Sequence, residues 1–158
     1  MEEKILFEEK QKFNQWWLWL LLLGLAGFIA YKIFIEKDYG NGSKTIGIIV
    51  LILMFSLLVL FYFINLKTRV YSDRIEIKFF PFINHWKKYS FKSIEKMEVI
   101  QYNPILDYGG WGIRLGAYNI SGNKGLKIYY KKKNYRDSIL IGTQKPEELA
   151  KIIKNIQL

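Results

Sequence analysis

Residues Trp16–Ile35 read WWLWLLLLGLAGFIAYKIFI and residues Thr45–Leu66 read TIGIIVLILMFSLLVLFYFINL. About 20 helical residues at about 1.5 Å each match a hydrocarbon core of about 30 Å, and Lys32 is the one charged side chain inside either run. The pair predicts a membrane hairpin with spans at 16–35 and 45–66 and an external loop at 36–44. Trp16, Trp17 and Trp19 mark the start of the first span and Tyr31, Phe34 and Tyr39 its end, as amphipathic rings do at headgroup depth. Lys32 lies close enough to the end of its run to snorkel. Gly24, Gly27 and Ala30 form a small-residue stripe expected to receive the second helix, with Ser56 as a contact, self-association being the other reading.

Working outward, Met1–Gln15 is expected to be a cytoplasmic juxtamembrane segment, and the i,i+4 pair Glu8 and Lys12 suits a short helix. Glu2, Glu3, Glu8 and Glu9 spoil the basic n-region that a signal peptide needs. Lys4, Lys10 and Lys12 precede the first span, and Lys67, Arg69, Arg74 and Lys78 follow the second, against Lys37 and Lys44 in the loop. The excess predicts a multi-pass protein of the cell membrane with both termini in the cytoplasm.

The remaining residues, 67–158, are enough for one small domain. Residues 1–65 carry six Lys and six acidic residues, so the whole net charge of +10 falls beyond them. The chain has no cysteine and one histidine, which removes disulfides, thiolate ligands and a zinc site of the usual composition. Only four of the 24 basic residues are Arg, whereas readers of phosphate or base edges favour its planar fork.

Past Leu66 the apolar period changes to alternation: in Arg74-Ile75-Glu76-Ile77-Lys78-Phe79 the apolar residues share one face. Seven strands are expected, at about 66–72, 74–80, 86–91, 95–101, 111–116, 125–131 and 137–142, divided by turn signals such as Ser72-Asp73 and Asn103-Pro104. Pro146-Glu147-Glu148 then suits a first helical turn, and Leu149, Ile152, Ile153 and Ile156 fall on one face of a helix over about 146–157. A strongly bent sheet or partly open barrel of seven strands with a C-terminal helix is similar to the pleckstrin-homology architecture.

A closer likeness rests on Tyr108-Gly109-Gly110-Trp111-Gly112-Ile113-Arg114, Ala117-Tyr118-Asn119 and Ile141-Gly142-Thr143-Gln144-Lys145-Pro146-Glu147-Glu148-Leu149, joined to the two-span anchor. Across nearly its whole length the chain resembles an uncharacterised family of small bacterial membrane proteins with a C-terminal pleckstrin-homology-like domain. The resemblance implies a membrane-anchored binding domain and no assigned reaction. Eukaryotic lipid-binding members gather basic residues on a loop between the first two strands; the two residues Ser72-Asp73 leave no room for one here.

Two constellations stand out. Lys131, Lys132 and Lys133 sit at one hairpin tip with Arg136 just beyond, and Lys67, Arg69, Lys87 and Lys88 add to the basic surface. These are candidate contacts for anionic lipid, each lysine contributing about 1 kcal/mol near such a surface; a solvated turn is the plain reading. In the strand at 111–116, Gly112, Arg114 and Gly116 share a face, a candidate notch for an anion or a partner. The plain reading pairs Arg114 with an internal acid or carbonyl.

Nucleic acid is disfavoured by the shortage of Arg and by tethering to a membrane. No nucleophile elbow, paired histidines or metal-spaced acids occur, so no catalytic residue, cofactor or metal is assigned. His85 reads as a strand-entry residue, Asp107 as a turn residue, and Glu95 and Glu98 as pointing to opposite strand faces. The sequence therefore predicts a non-enzymatic binding or scaffolding module. The alternative is an accessory subunit that meets a protein partner or a second copy through its hairpin.

Overall fold

The computed structural model of the chain describes residues 3–35, 41–132 and 135–157. In chain order these are β1 (Phe7–Lys12), α1 (Trp16–Phe34), α2 (Asn41–Phe63), β2 (Asn65–Val70), β3 (Arg74–Phe80), β4 (Ile83–Ser90) and β5 (Ile94–Gln101). Then come α3 (Pro104–Tyr108), β6 (Gly112–Arg114), β7 (Ala117–Asn119), β8 (Lys124–Lys132), β9 (Tyr135–Gly142) and α4 (Pro146–Gln157). The chain divides into a helical unit, Asn14–Phe63, and a mainly β unit built from the residues before and after it.

In the helical unit α1 and α2 are both long and apolar enough to cross a membrane. They pack on each other and bury Leu22, Ile33 and Met54, while Leu20, Leu21, Phe28, Ile52, Leu53 and Phe55 stay exposed. The first turn of α2 begins at Asn41 rather than Thr45, and the helix stops at Phe63 because Asn65 and Leu66 already pair in β2. Residues 36–40 of the expected loop lie outside the described residues. The small-residue stripe does not receive α2: Gly24 and Gly27 are exposed, with nothing within 4 Å of a Cβ placed on either. Ser56 donates 2.9 Å back to the Ile52 carbonyl of its own helix, which satisfies the hydroxyl without a neighbour.

The N-terminal segment is a strand, not a helix. Phe7, Glu9 and Gln11 are buried while Glu8, Lys10 and Lys12 face out, a period of two that a helix cannot present. β1 runs antiparallel to β2, Phe7 opposite Val70 and Lys12 opposite Asn65. The i,i+4 attraction read between Glu8 and Lys12 is worth only a few tenths of a kcal/mol, and Glu8 instead takes a 2.8 Å bond from Arg69 across the strands. Burial of Phe7 and a full ladder of backbone bonds outweigh the local pair.

The first sheet has the order β1-β2-β3-β4, all antiparallel; the second has the order β5-β8-β9-β7-β6, with β7 parallel to β9. Their inner faces bury Leu66, Ile75, Ile77 and Phe79 from one sheet and Leu126, Ile128, Ile139 and Ile141 from the other, while Leu140 packs with Tyr102 and Ala117 on the opposite face of β9. Helix α4 buries Leu149 and Ile153 and packs on β5 and β8, and Glu147 and Glu148 sit in its first turn, where their charge opposes the helix dipole.

Between β5 and β8 the structure departs from the expected single strand at 111–116. Asn103 caps α3 by accepting from the Ile105 and Leu106 N–H groups, and Asp107 accepts 2.8 Å from the Asn103 N–H, a capping role. Alternation then ends at Arg114, because Leu115 (φ 44°) and Gly116 (φ 79°) reverse the chain into β7. Two successive positive φ values define the tightest hairpin turn, in which Asn and Gly are favoured; Leu115 is a costly occupant, and it is 79% exposed.

The segment Gly142-Thr143-Gln144 ties the two sheets together. Gln11 Nε2 donates 2.6 Å to the Gly142 carbonyl, Thr143 Oγ1 donates 2.7 Å to Glu9 Oε2, and the Gln144 N–H donates 2.7 Å to Glu9 Oε1. A Cβ on Gly142 would lie 2.9 Å from the Cβ of Asn119, so only glycine admits this approach. Asn119 is itself buried, bonded to the Tyr102 hydroxyl and the Gly112 N–H.

Candidate functional site

The outer face of the first sheet carries its charges in rows, because residues opposite one another in an antiparallel ladder point the same way. One row, Glu8, Arg69, Glu76 and Lys88, alternates in sign. Arg69 bonds Glu8 and stacks 4.6 Å over the Trp86 ring, and the bond to Glu8 raises its pKa. Arg74 holds Glu76 at 2.8 Å and also binds Glu3, whose carboxyl it lowers below the usual range. These arginines are committed to the fold.

The next row is all cation: Lys10 lies opposite Lys67, and Lys67 opposite Lys78. None of the three has an ion-pair partner among the described residues. Like charges directly opposite are destabilising, and no carboxylate among the described residues offsets this row by an ion pair. Of its members Lys67 is one of the predicted contacts. Lys10 joins it through the register of β1, which the sequence alone did not reveal, and Lys78 through that of β3.

A second basic surface lies where β4 of the first sheet faces β7, β8 and β9 of the second. It is a cleft of about 630 Å³ whose lining includes Lys87, Lys88, Tyr89, Tyr118, Tyr130 and Lys131. Lys87 Nζ donates 2.8 Å to the Tyr118 hydroxyl and sits 5.2 Å from the centre of its ring. Tyr89 and Tyr130 meet edge to face at 5.7 Å. Burial first, then the neighbouring Tyr118, pushes the Tyr89 phenol well above the ordinary tyrosine range. Asp137 also lines the cleft, and its carboxylate accepts from the Tyr130 hydroxyl and the Ser138 N–H.

Three predicted lipid contacts, Lys87, Lys88 and Lys131, thus share one cleft with Gly116 and with His85, which is exposed on β4. Lys133 and the side chains of Lys132 and Arg136 lie outside the described residues. The proposed notch is not assembled. Arg114 Nη1 donates 3.0 Å to the Gly109 carbonyl, the internal pairing of the plain reading, while Gly116 belongs to the turn beyond it. The sequence reading set Tyr130 aside as an ordinary strand residue and assigned no role to Tyr89 or Tyr118; the pairing of Lys87 with Tyr118 across the two sheets distinguishes the latter.

No protein-family model, characterised protein or solved structure matches the chain.

Proposed function

We propose that the chain is a membrane-anchored, pleckstrin-homology-like binding module, held in the bilayer by α1 and α2, whose β unit engages anionic lipid headgroups through Lys10, Lys67 and Lys78. The uncompensated lysine row carries this reading. Lys67 follows Phe63 by four residues and Lys10 precedes Trp16 by six, so at about 3.3 Å per strand residue these two members of the row lie within about 20 Å of chain from a helix end. Three lysines at an anionic surface contribute about 3 kcal/mol, on the order of a hundredfold in affinity.

Several observations support the membrane and fold parts. Only 11% of the apolar window of α1 and 6% of that of α2 is buried, too little for core helices of a soluble protein. A cleaved leader is disfavoured because cleavage would remove β1 from its sheet. Pairing of β1 with β2 supports a common side for the residues before α1 and those after α2, and the lysine excess favours the cytoplasm for that side. The described residues form nine strands where seven were expected; setting aside the three-residue β6 and β7, seven remain before the C-terminal helix. The helical hairpin then occupies the loop between the first two strands, where eukaryotic relatives of the architecture gather their basic residues.

The test uses the full chain in phosphatidylcholine bilayers with trace spin-labelled lipids. The expected result is selective association of labelled phosphatidylglycerol over phosphatidylcholine. That selectivity should fall in a Lys10→Gln/Lys67→Gln/Lys78→Gln variant and at high salt, where the Debye length shrinks to about 3 Å. Equal association of the two labels sinks the proposal. A second reading, an accessory subunit meeting a partner through its hairpin, is favoured by the exposed Gly24 and Gly27. Replacing the hairpin with an unrelated one spares lipid selectivity and abolishes partner capture on that reading.

A further inference from the structure

We propose that the cleft between β4 and β7–β9 is a binding site for a phosphate monoester carried on a small-molecule body, with Lys87 and Tyr118 at its floor and Lys131 at its rim. The site is distinct from the lysine row and does not depend on it.

Three features converge on this chemistry. Lys87 is half-buried, yet its ammonium is satisfied by a neutral hydroxyl and an aromatic face, not by a carboxylate. Partial burial of a cation without a counter-charge is costly, and the one acid in the lining among the described residues, Asp137, is already engaged by Tyr130 and the Ser138 N–H. Lys88 lies 3.5 Å from Glu76, which Arg74 holds more closely at 2.8 Å, and Lys131 has no ion-pair partner among the described residues. With Lys88 paired to Glu76 on the opposite face of β4, Lys87 and Lys131 stand beside one committed carboxylate, and their two charges match a dianion. The Tyr118 hydroxyl accepts from Lys87 and keeps its own proton, a donor for a ligand oxygen or for Tyr89. Finally, about 630 Å³ exceeds what a lone phosphate fills and lies within the range of small-molecule sites. The rings of Tyr89 and Tyr130 supply walls for the body of the ligand.

A phosphate monoester can be soluble or part of a lipid, and the experiment separates the two. The full chain is placed in phosphatidylcholine nanodiscs with or without millimolar glycerol 3-phosphate, and in nanodiscs containing phosphatidic acid, at matched ionic strength. Acylation rates of individual lysines are read by mass spectrometry. The expected result is a severalfold slowing at Lys87 and Lys131, with Lys151 and Lys154 on α4 unchanged. Slowing with glycerol 3-phosphate assigns a soluble ligand; slowing with phosphatidic acid alone assigns a lipid headgroup. No slowing in either arm, or equal slowing by chloride, overturns the proposal.

Lys87→Met provides the second measurement. Exchanging a half-buried ammonium for an apolar side chain of similar length is expected to leave thermal stability equal or higher while abolishing the protection of Lys131. A variant that retains full protection of Lys131 refutes the assigned role of Lys87. In Lys131→Glu, whose exposed side chain leaves the fold intact, protection of Lys87 must also fall; undiminished protection counts against the site.

Discussion

Glu9→Ala should be among the most damaging single substitutions in the β unit. Glu9 is 6% exposed and accepts two bonds of 2.7 Å, from the Thr143 hydroxyl and the Gln144 N–H. Hydrogen bonds to a charged partner contribute about 1.5–3 kcal/mol each, so removing the carboxylate costs about 3–5 kcal/mol. The lower end applies if Thr143, which also accepts from the Lys145 N–H at 3.0 Å, finds another acceptor. Against the roughly 5–15 kcal/mol that stabilises a typical domain, this is a large fraction. Glu8→Ala, one residue away on the exposed face, loses only a surface ion pair with Arg69, less than about 1 kcal/mol. Urea titrations of the full chain in detergent, read by pulse proteolysis of the β unit, compare the two. Glu9→Gln, which keeps one acceptor oxygen, should fall between them. If Glu9→Ala is no worse than Glu8→Ala, then β1 is not docked against the Gly142-Thr143-Gln144 segment and the account of the N-terminal strand fails.

Since Lys12 and Asn65 are partners in the ladder, replacing residues 14–63 with an Asn-Gly turn should yield a soluble, cooperatively folded β unit by circular dichroism and sedimentation; a 67–158 fragment of equal stability would contradict this. Leu115→Asn should raise the urea midpoint, since relieving a positive φ at a side chain that prefers others contributes on the order of 1 kcal/mol, and an unchanged or lower midpoint argues against the turn as described. Tyr89 and Tyr102 have phenols raised by burial. A raised folded pKa contributes stability that is complete below the free tyrosine value of about 10 and lost as pH climbs through the folded value. Absorbance titration at alkaline pH should therefore show late-ionising tyrosines coincident with unfolding, and full ionisation near the free value in the folded chain would refute it.

The two apolar helices were legible because their signal is local: twenty residues of one character need no partner to be recognised. Strands β3, β5 and β9 were legible for the same reason, through alternation. What was lost lay in partners distant in sequence. Phe7, Glu9 and Gln11 alternate, but two of the three are polar, so the stretch looks like a charged lead-in until Gly142 and Thr143 are seen to satisfy Glu9 and Gln11. Lys10, Lys67 and Lys78 form a row only through register, a relation between strands that no window along the chain contains. The end of β6 was misplaced because Leu115 is an apolar residue performing a task that Asn or Gly usually performs. Lys87 and Lys88 were singled out for their charge, yet what sets Lys87 apart is a hydroxyl on another sheet.

The insertion of the helical hairpin between β1 and β2 has a consequence for biosynthesis. β1 leaves the ribosome before β2 and must wait for its partner through some fifty intervening residues, several seconds at about 5–20 residues per second. On the membrane-spanning reading, a nascent chain that threads an odd number of helices delivers the two strands to opposite compartments. Glu9 and Gln11 then have no Gly142-Thr143-Gln144 segment to meet, and the β unit is left with an open edge of the kind quality-control proteases cut. On that reading, pairing of β1 with β2 requires the two helices to enter the bilayer together.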